Sequence, residues 1–291
     1  MRREYSILVK KVAKSLSSLL FRCFPHDVHS GHRVLFFWNW YYETPMSKYG
    51  LPEIQELRAI KSRREISYIT KAQRTSEMVL KEVVARLKVG VTELSLARFI
   101  VESFKRKGIR ALAFEPIVAF GKGSADIHHW AGSTKLRRGD TVMFDFGCTV
   151  ESYCSDMTRT YFFGEPTARQ KKVYLGVLQA QEKVLHALKQ GERRATKLDS
   201  LARTFLSRKF GLRAFPHGLG HGVGTAIHEW PNFKPKSPDV LRANMVMTVE
   251  PGAYFRGWGG VRIEDMVLIK SSGCSNLTHA PKDLSSVTLR V

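Results

Sequence analysis

The feature that most restricts the fold of this chain is a repeated order of elements: a pair of helical segments followed by a β-rich run occurs twice. Apolar spacing and end signals predict helical segments at 53–89, 92–108, 167–191 and 196–211, and β-rich runs at 112–164 and 240–270. Thr92 and Thr167 are typical N-caps, and Gln170 completes a capping box with Thr167. Two helices and then strands, twice over, predict an α+β domain made of two similarly organised halves.

Composition restricts the class of protein. With 291 residues, 43% of them hydrophobic, the chain can bury a substantial core, and no apolar run reaches the roughly 18 residues of a transmembrane helix. The four cysteines lack the paired spacing of a disulfide or zinc framework, so we expect a soluble, cytoplasmic protein. The net charge of +21 would attract polyanions, but it is spread over many segments and no recognition motif accompanies it. Nucleic acid is therefore not an expected partner.

Residues 1–52 differ in composition from residues 53–291, which we predict to be the main domain. The first 24 residues hold six basic residues against the single acidic residue Glu4, and an aromatic stretch follows them. The alternatives for this segment are an organelle-targeting peptide, a membrane-surface anchor and a basic, partly disordered terminus.

The run "HGLGHGVGTAIHEWP" at 217–231 combines three histidines with alternating glycines. His217 and His221 have the spacing of a zinc-binding helix. The four glycines argue against a helix, because each costs about 1 kcal/mol relative to alanine. A phosphate loop is also disfavoured, since no Gly-Lys-Ser/Thr ending follows. We expect an extended, closely packed backbone whose histidines find partners elsewhere in the chain.

Acidic residues interrupt the predicted strands. Asp145 is predicted in the middle of a strand, and a hairpin turning near Glu151 would bring Asp156 beside it. Glu250 ends a third strand, and Glu264 with its neighbour Asp265 interrupts a fourth. Any one of them alone is best read as a strand-end or surface carboxylate. Four such acids together with His221 instead predict bound cations, because adjacent buried anions are unfavourable without them.

The donor types suit a particular chemistry. Oxygen-rich ligation with one imidazole favours manganese, cobalt, iron or zinc over a thiolate-type structural site. The carboxylates suffice to bridge two ions about 3.5 to 4 Å apart, as in two-metal hydrolases.

Several motifs carry a family resemblance. The segments "DFG" through "SDMTRT", "HGLGHGVG", "HEWP", "VEPGAY" and "GVRIED" follow one another in the order seen in the pita-bread metallopeptidases, family M24. Over residues 53–270 the chain most resembles their Xaa-Pro aminopeptidase and prolidase branch. The resemblance implies a pita-bread fold, with two pseudo-symmetric halves around an antiparallel sheet, and an aminopeptidase that hydrolyses N-terminal Xaa-Pro bonds.

Carried over by position, the resemblance also implies roles for individual residues. The implied metal ligands are Asp145, Asp156, His221, Glu250 and Glu264. The implied catalytic residues are His128, His228 and Glu250, and the implied substrate contacts are His128, His217, His228 and Arg262. Residue 127 is isoleucine where the family often has proline, which leaves the local backbone beside His128 in question. An ordinary surface ion pair is the alternative reading of Arg262.

The expected cofactor is a pair of divalent ions, with Mn²⁺ preferred and Co²⁺, Zn²⁺ or Fe²⁺ as alternatives. The expected partner is a peptide with proline in second position, and a homodimer is the expected assembly. Alternative functions are a metal-free pita-bread binding module with a basic surface, a methionine aminopeptidase and a hydrolase of small amidino compounds.

Overall fold

The computed structural model describes residues 52–290, with side chains from residue 55 onward. The predictions for residues 1–51 lie outside this range. The helices are α1 Pro52–Ala59, α2 Arg63–Val84, α3 Glu93–Arg106, α4 Ala168–Lys189, α5 Ala195–Phe210 and α6 Leu284–Val287. The strands of the first half are β1 Ile117–Phe120, β2 Thr141–Asp145, β3 Thr149–Val150, β4 Tyr153–Cys154 and β5 Thr158–Phe163. The later strands are β6 Gly220–Gly222, β7 Glu229–Phe233, β8 Val246–Val249, β9 Gly252–Phe255, β10 Gly259–Arg262, β11 Asp265–Ile269, β12 Cys274–Asn276 and β13 Thr288–Leu289.

The first helical segment departs from the prediction, because the structure divides 53–89 into α1 and α2. Ser62 forms the break: its hydroxyl accepts the amide of Glu65 at 3.3 Å, and the Glu65 carboxylate accepts the amide of Ser62 at 2.7 Å. This reciprocal capping box begins a new helix inside the apolar pattern. Helix α2 ends at Val84, and Gly90 lies beyond it with a φ of 84°.

The other helices follow their end signals. Thr92 accepts the amide of Ser95 and begins α3, and Thr167 forms the predicted capping box with Gln170 at the start of α4. Helix α5 begins at Ala195, one residue before the predicted Thr196, without a side-chain cap. Among residues 52–290, no helix has both the length and the apolar character needed to cross a bilayer.

Two sheets form the centre of the described residues. One has the strand order β1-β2-β5-β13, and the other has the order β12-β11-β8-β6-β7. Helices α2 and α3 pack together on the side of the first sheet, and α4 and α5 pack together and contact the second. The hairpin β9–β10 lies against β5, because the hydroxyl of Thr160 bonds both the amide and the carbonyl of Arg262. The α+β prediction is confirmed.

The predicted positions of the acids within strands need correction. Asp145 is the last residue of β2, where it pairs with Thr158 of β5. The other three acids lie just outside regular strands: Asp156 precedes β5, Glu250 follows β8, and Glu264 precedes β11. The physical reason is the alternation of side chains along a strand. Pairing with neighbouring strands fixes the face of the sheet to which a mid-strand side chain points, whereas the direction of a side chain at a strand end is less restricted.

Candidate metal centre

The candidate centre lies where the two sheets meet. The amide of Glu264 donates to the carbonyl of Thr158 at 3.1 Å, which ties the approach to β11 to the start of β5. In the second sheet, Val249 of β8 pairs with Asp265 of β11 at the end of the two antiparallel strands. Glu250 and Glu264 are the next residues beyond this pair, so they lie side by side. Glu250 and Glu264 are therefore brought to the start of β5, although Thr158 and Glu264 lie 106 residues apart in the sequence.

A tight hairpin returns Asp156 to the neighbourhood of Asp145. Strands β3 and β4 pair as predicted around Glu151 and Ser152, whose φ values are 49° and 68°. The two arms lie so close that a Cβ at Gly147 would be 1.8 Å from the carbonyl oxygen of Ser155. The predicted hairpin is confirmed, and it requires glycine at position 147.

Close packing also explains the glycines of the 217–231 run. Strand β6 lies between β7 and β8, and a Cβ at Gly220 would be 2.2 Å from the carbonyl oxygen of Thr248. A Cβ at Gly222 would be 2.6 Å from that of Trp230. The expected extended backbone is confirmed, and His221 is held between two strands.

Asp156, His221 and Glu264 bring potential metal-ligand atoms within 4.8 Å of one another. The Nε2 atom of His221 lies 3.3 Å from Oε1 of Glu250 and 3.6 Å from Oδ2 of Asp156. Its Nδ1 atom lies 3.0 Å from the carbonyl oxygen of Gly222, which can only accept a hydrogen bond. In the neutral imidazole Nδ1 therefore carries the proton, which leaves the Nε2 lone pair available to a metal. Without metal, the contact with Glu250 outweighs burial and raises the pKa of His221, which favours a second proton on Nε2.

Burial and mutual repulsion make this cluster unfavourable as a set of free anions. Burial raises the pKa of Asp145, and it raises the pKa values of Asp156 and Glu264 well above their ordinary range together with the neighbouring carboxylates. Glu250 is the exception: burial favours its neutral form, but the neighbouring basic groups, His221 foremost, together outweigh burial and lower the pKa of Glu250 to about 2.

Two buried carboxylate oxygens without a hydrogen-bond partner indicate whether a cation fits this cluster. Among the described residues, Oδ1 of Asp145 and Oε1 of Glu264 are buried without a hydrogen-bond partner. Buried oxygens left unpaired beside an imidazole lone pair suit hard or intermediate divalent ions. The donor set therefore fits divalent metal.

Arg262 lies within the cluster and not on the surface, because it is only 3% exposed. Its Nε donates to the hydroxyl of Thr158 at 3.0 Å, Nη1 donates to the hydroxyl of Tyr254 at 2.9 Å, and Nη2 donates to Asp145. The alternative reading of a surface ion pair is wrong. The guanidinium supplies a fixed positive charge beside Asp145.

The other predicted histidines surround the cluster. His217 donates from Nδ1 to the carbonyl of Gly218 at 2.8 Å, so its Nε2 accepts from the hydroxyl of Tyr254 at 2.8 Å. Burial lowers the pKa of His217 to about 4 and keeps the ring neutral. The ring of His228 lies 4.4 Å from that of His221. Desolvation of the ring lowers the pKa of His228 to about 3, with smaller contributions from the neighbouring His221 and His128.

His129, the neighbour of His128, contacts Glu93 and not the cluster of acids. Its Nε2 lies 2.9 Å from the carboxylate of Glu93, which also accepts the amides of Phe120 and Gly132. Burial would raise the pKa of Glu93, but these bonds outweigh it and lower that pKa. The pair therefore anchors the segment that carries His128.

This pair predicts a dependence of stability on pH. The hydrogen bond to Glu93 raises the pKa of His129 above its ordinary 6.5, so the stabilisation is complete below about pH 6.5 and is lost as pH rises through the folded-state pKa. We expect the free-energy advantage of the wild type over His129→Gln to fall by about 1 kcal/mol between pH 5.5 and 8.5. Denaturant unfolding measures it, and an advantage that is constant over this range would contradict the assignment.

Sequence reasoning missed Thr158 and Tyr254. The hydroxyl of Thr158 donates to Oε2 of Glu264 at 2.7 Å and accepts from Arg262. A signal was present, because Asp156, Thr158 and Thr160 recur with a period of two. No comparable signal marks Tyr254, whose partners come from distant segments. Asp265, by contrast, pairs with Arg159 at 2.7 Å and with Lys282, away from the cluster.

Comparison with known proteins places the chain among relatives with this architecture. Residues 67–271 match the model of metallopeptidase family M24. An uncharacterized peptidase of Staphylococcus aureus (strain USA300) is 40% identical over 229 residues, which cover 79% of this chain and 65% of that protein. The chain thus spans just under two thirds of the length of this curated relative.

Solved structures agree with the family match. The X-Pro aminopeptidase from Thermotoga maritima MSB8 has a TM-score of 0.76 and 37% identity, covering 82% of this chain and 66% of that chain. The prolidase from Pyrococcus furiosus has a TM-score of 0.76 and 38% identity, covering 78% of this chain and 67% of that chain.

The two helix pairs, the two joined sheets and the acids between them define a pita-bread domain with a metal-type centre. This confirms the predicted fold. The chain belongs to metallopeptidase family M24.

Proposed function

We propose that this chain is a dinuclear metalloaminopeptidase that hydrolyses the bond between the first residue of a peptide and a proline in second position. The convergence of Asp156, His221 and Glu264 carries the metal part of the proposal. The specificity is supported by the structural relatives, which are an X-Pro aminopeptidase and a prolidase. We assign the catalytic domain to residues 53–291, since residues 52–291 cluster as one compact unit.

In this proposal Asp145, Asp156, His221, Glu250 and Glu264 hold two divalent ions. Such ions would polarise the scissile carbonyl and lower the pKa of the attacking water. Mn²⁺ is the proposed metal, with Co²⁺, Zn²⁺ and Fe²⁺ to be compared. His221 enters as the Nδ1–H tautomer that the carbonyl of Gly222 selects.

The chain's own groups would bind substrate and move protons. Glu250 is the least buried of these acids, with its side chain 16% exposed, and we assign it the role of accepting the water proton. His128 and His228 are exposed residues beside the cluster, and we assign them hydrogen bonds to the substrate and the tetrahedral intermediate. We assign His217, whose ring is neutral, a contact with the substrate.

Arg262 needs a more specific role than the resemblance implies. All three guanidinium nitrogens already donate within the protein, and the chain of bonds Arg262–Tyr254–His217 ends at a histidine to which we assign a substrate contact. We propose that Arg262 acts on the substrate through Tyr254 and His217, while holding Asp145 in place.

A panel of peptides tests the function. We expect Xaa-Pro N-termini to be cleaved faster than Xaa-Ala or Met-Ala N-termini when each is assayed with Mn²⁺, Co²⁺ and Zn²⁺. Preferential cleavage of Met-Ala would instead identify a methionine aminopeptidase. Metal analysis of the purified protein should give about two ions per chain, whereas no binding even after Mn²⁺ addition would identify a metal-free binding module. A homodimer stays a prediction, which light scattering can test.

A further inference from the structure

Gln181 of α4 connects the two backbone segments that precede Glu250 and Glu264. Its side chain is fully buried, and its amide nitrogen donates to the carbonyl of Val249 at 3.0 Å and to the carbonyl of Ile263 at 3.0 Å. Each carbonyl belongs to the residue immediately before one of these two acids. One amide group thus uses both of its hydrogens to hold the approaches to two carboxylates.

The orientation of this amide follows from its third contact. The Nζ atom of Lys282 lies 2.6 Å from Oε1 of Gln181, and an ammonium group can only donate. The oxygen must therefore face Lys282, and the nitrogen must face the two carbonyls. The reverse orientation would place an oxygen against two carbonyl oxygens and an NH₂ group against a cation.

Lys282 extends the contact into a buried network. It also pairs with Asp265, which pairs with Arg159, and both of these residues are fully buried. Arg159 in turn donates from Nη1 to the carbonyl of Glu264 at 2.6 Å and to that of Thr158 at 2.9 Å. The network therefore fixes the backbone of Glu264 through its carbonyl group and does not contact its carboxylate.

We propose that Gln181 is a positioning residue that holds Glu250 and Glu264 at the spacing a bound metal requires. Two neighbouring carboxylates must both be ionised to hold a cation, and their mutual repulsion then favours separation of the segments that carry them. Two hydrogen bonds to their backbones oppose this separation before metal arrives. The inference rests on the proposed function, because it assigns both acids as metal ligands.

The test compares Gln181→Met with Gln170→Met on the same helix. Gln170 also donates its buried amide to a carbonyl, that of Gly139 at 2.9 Å, and to the hydroxyl of Thr141 at 3.2 Å, but away from the acids. Both variants lose two amide donor bonds and the bonds to the amide oxygen, which come from Thr167 at Gln170 and from Lys282 at Gln181. We expect both to melt at lower temperature than the wild type, while only Gln181→Met loses about 10- to 100-fold in affinity for Mn²⁺.

Calorimetric titration of the metal-free proteins with MnCl₂ alone gives the affinities, and thermal unfolding gives the stabilities. If Gln181→Met does not fold, Lys282→Met provides the second variant, because it leaves the amide in place but removes the group that orients it. A reduced affinity in a folded Lys282→Met protein would support the inference. Wild-type affinity in a folded Gln181→Met protein, or equal losses in Gln170→Met, would overturn it. A wild type that binds no metal would instead refute the proposed function.

Discussion

Replacement of Glu264 by glutamine should abolish metal-dependent peptide hydrolysis without destabilising the metal-free protein. We expect kcat/KM to fall by about 10³-fold or more, since a lost ligand removes several kcal/mol of transition-state stabilisation. The free energy of unfolding of the metal-free protein should not fall. Burial, and then Glu250 and Asp145, raise the pKa of Glu264 well above 4.5. This carboxyl weakens the folded state increasingly as pH rises above about 4.5, and glutamine removes that cost.

The neighbouring acid provides a matched control. Asp265→Asn changes the same chemical group one residue away, but Asp265 compensates the buried charge of Arg159 and also pairs with Lys282. We expect Asp265→Asn to lower the free energy of unfolding by about 3 kcal/mol, while Glu264→Gln leaves it equal or higher at pH 7. Steady-state kinetics with an Xaa-Pro peptide and denaturant unfolding without metal measure both effects. Undiminished turnover of Glu264→Gln would refute its assignment as a ligand.

Replacement of Arg262 by methionine should have the opposite effect on the metal-free protein. Arg262 is buried with Asp145, and its removal leaves that carboxylate without its compensating charge and Tyr254 without a donor. Breaking a buried pair in this way costs about 3–5 kcal/mol. We therefore expect a large loss of unfolding free energy at pH 7, measured by denaturant titration in the presence of a chelator.

Added metal should restore part of this loss, because a cation among the acids supplies positive charge where Arg262 is missing. Ligand at 100 times its Kd contributes about 2.7 kcal/mol to the folded state. The increase in melting temperature on Mn²⁺ addition should accordingly be at least as large in Arg262→Met as in the wild type. A variant as stable as the wild type without metal would show that Asp145 does not depend on Arg262.

Local signals in the sequence predicted much of this architecture. The capping residues Thr92 and Thr167 begin helices as expected, and the hairpin at Glu151 is where the turn was predicted. The errors came from competing local interactions. The apolar pattern of 53–89 continues across Ser62, but the capping box with Glu65 begins a new helix there, because it satisfies amides at the helix start.

The candidate ligands could be identified from chemistry, since an acid in an apolar run is unfavourable unless something compensates it. Their supports could not be identified in this way. Gln181 lies on an amphipathic helix where a glutamine is unremarkable, and nothing in its neighbours indicates that it is fully buried. Arg159 likewise follows Thr158 in an ordinary alternating strand, although it is fully buried beneath Glu264.

The sequence by itself determined which side chains can bind metal, the order in which they occur and the helices and turns between them, because these depend on residue chemistry and short-range periodicity. Only the tertiary structure decided that Asp145, Asp156, Glu250 and Glu264 meet at strand ends, and that Thr158 contacts Glu264 across 106 residues. The physical reason is that contacts of such separation depend on how two sheets pack, and neither sheet's local pattern specifies its distance from the other.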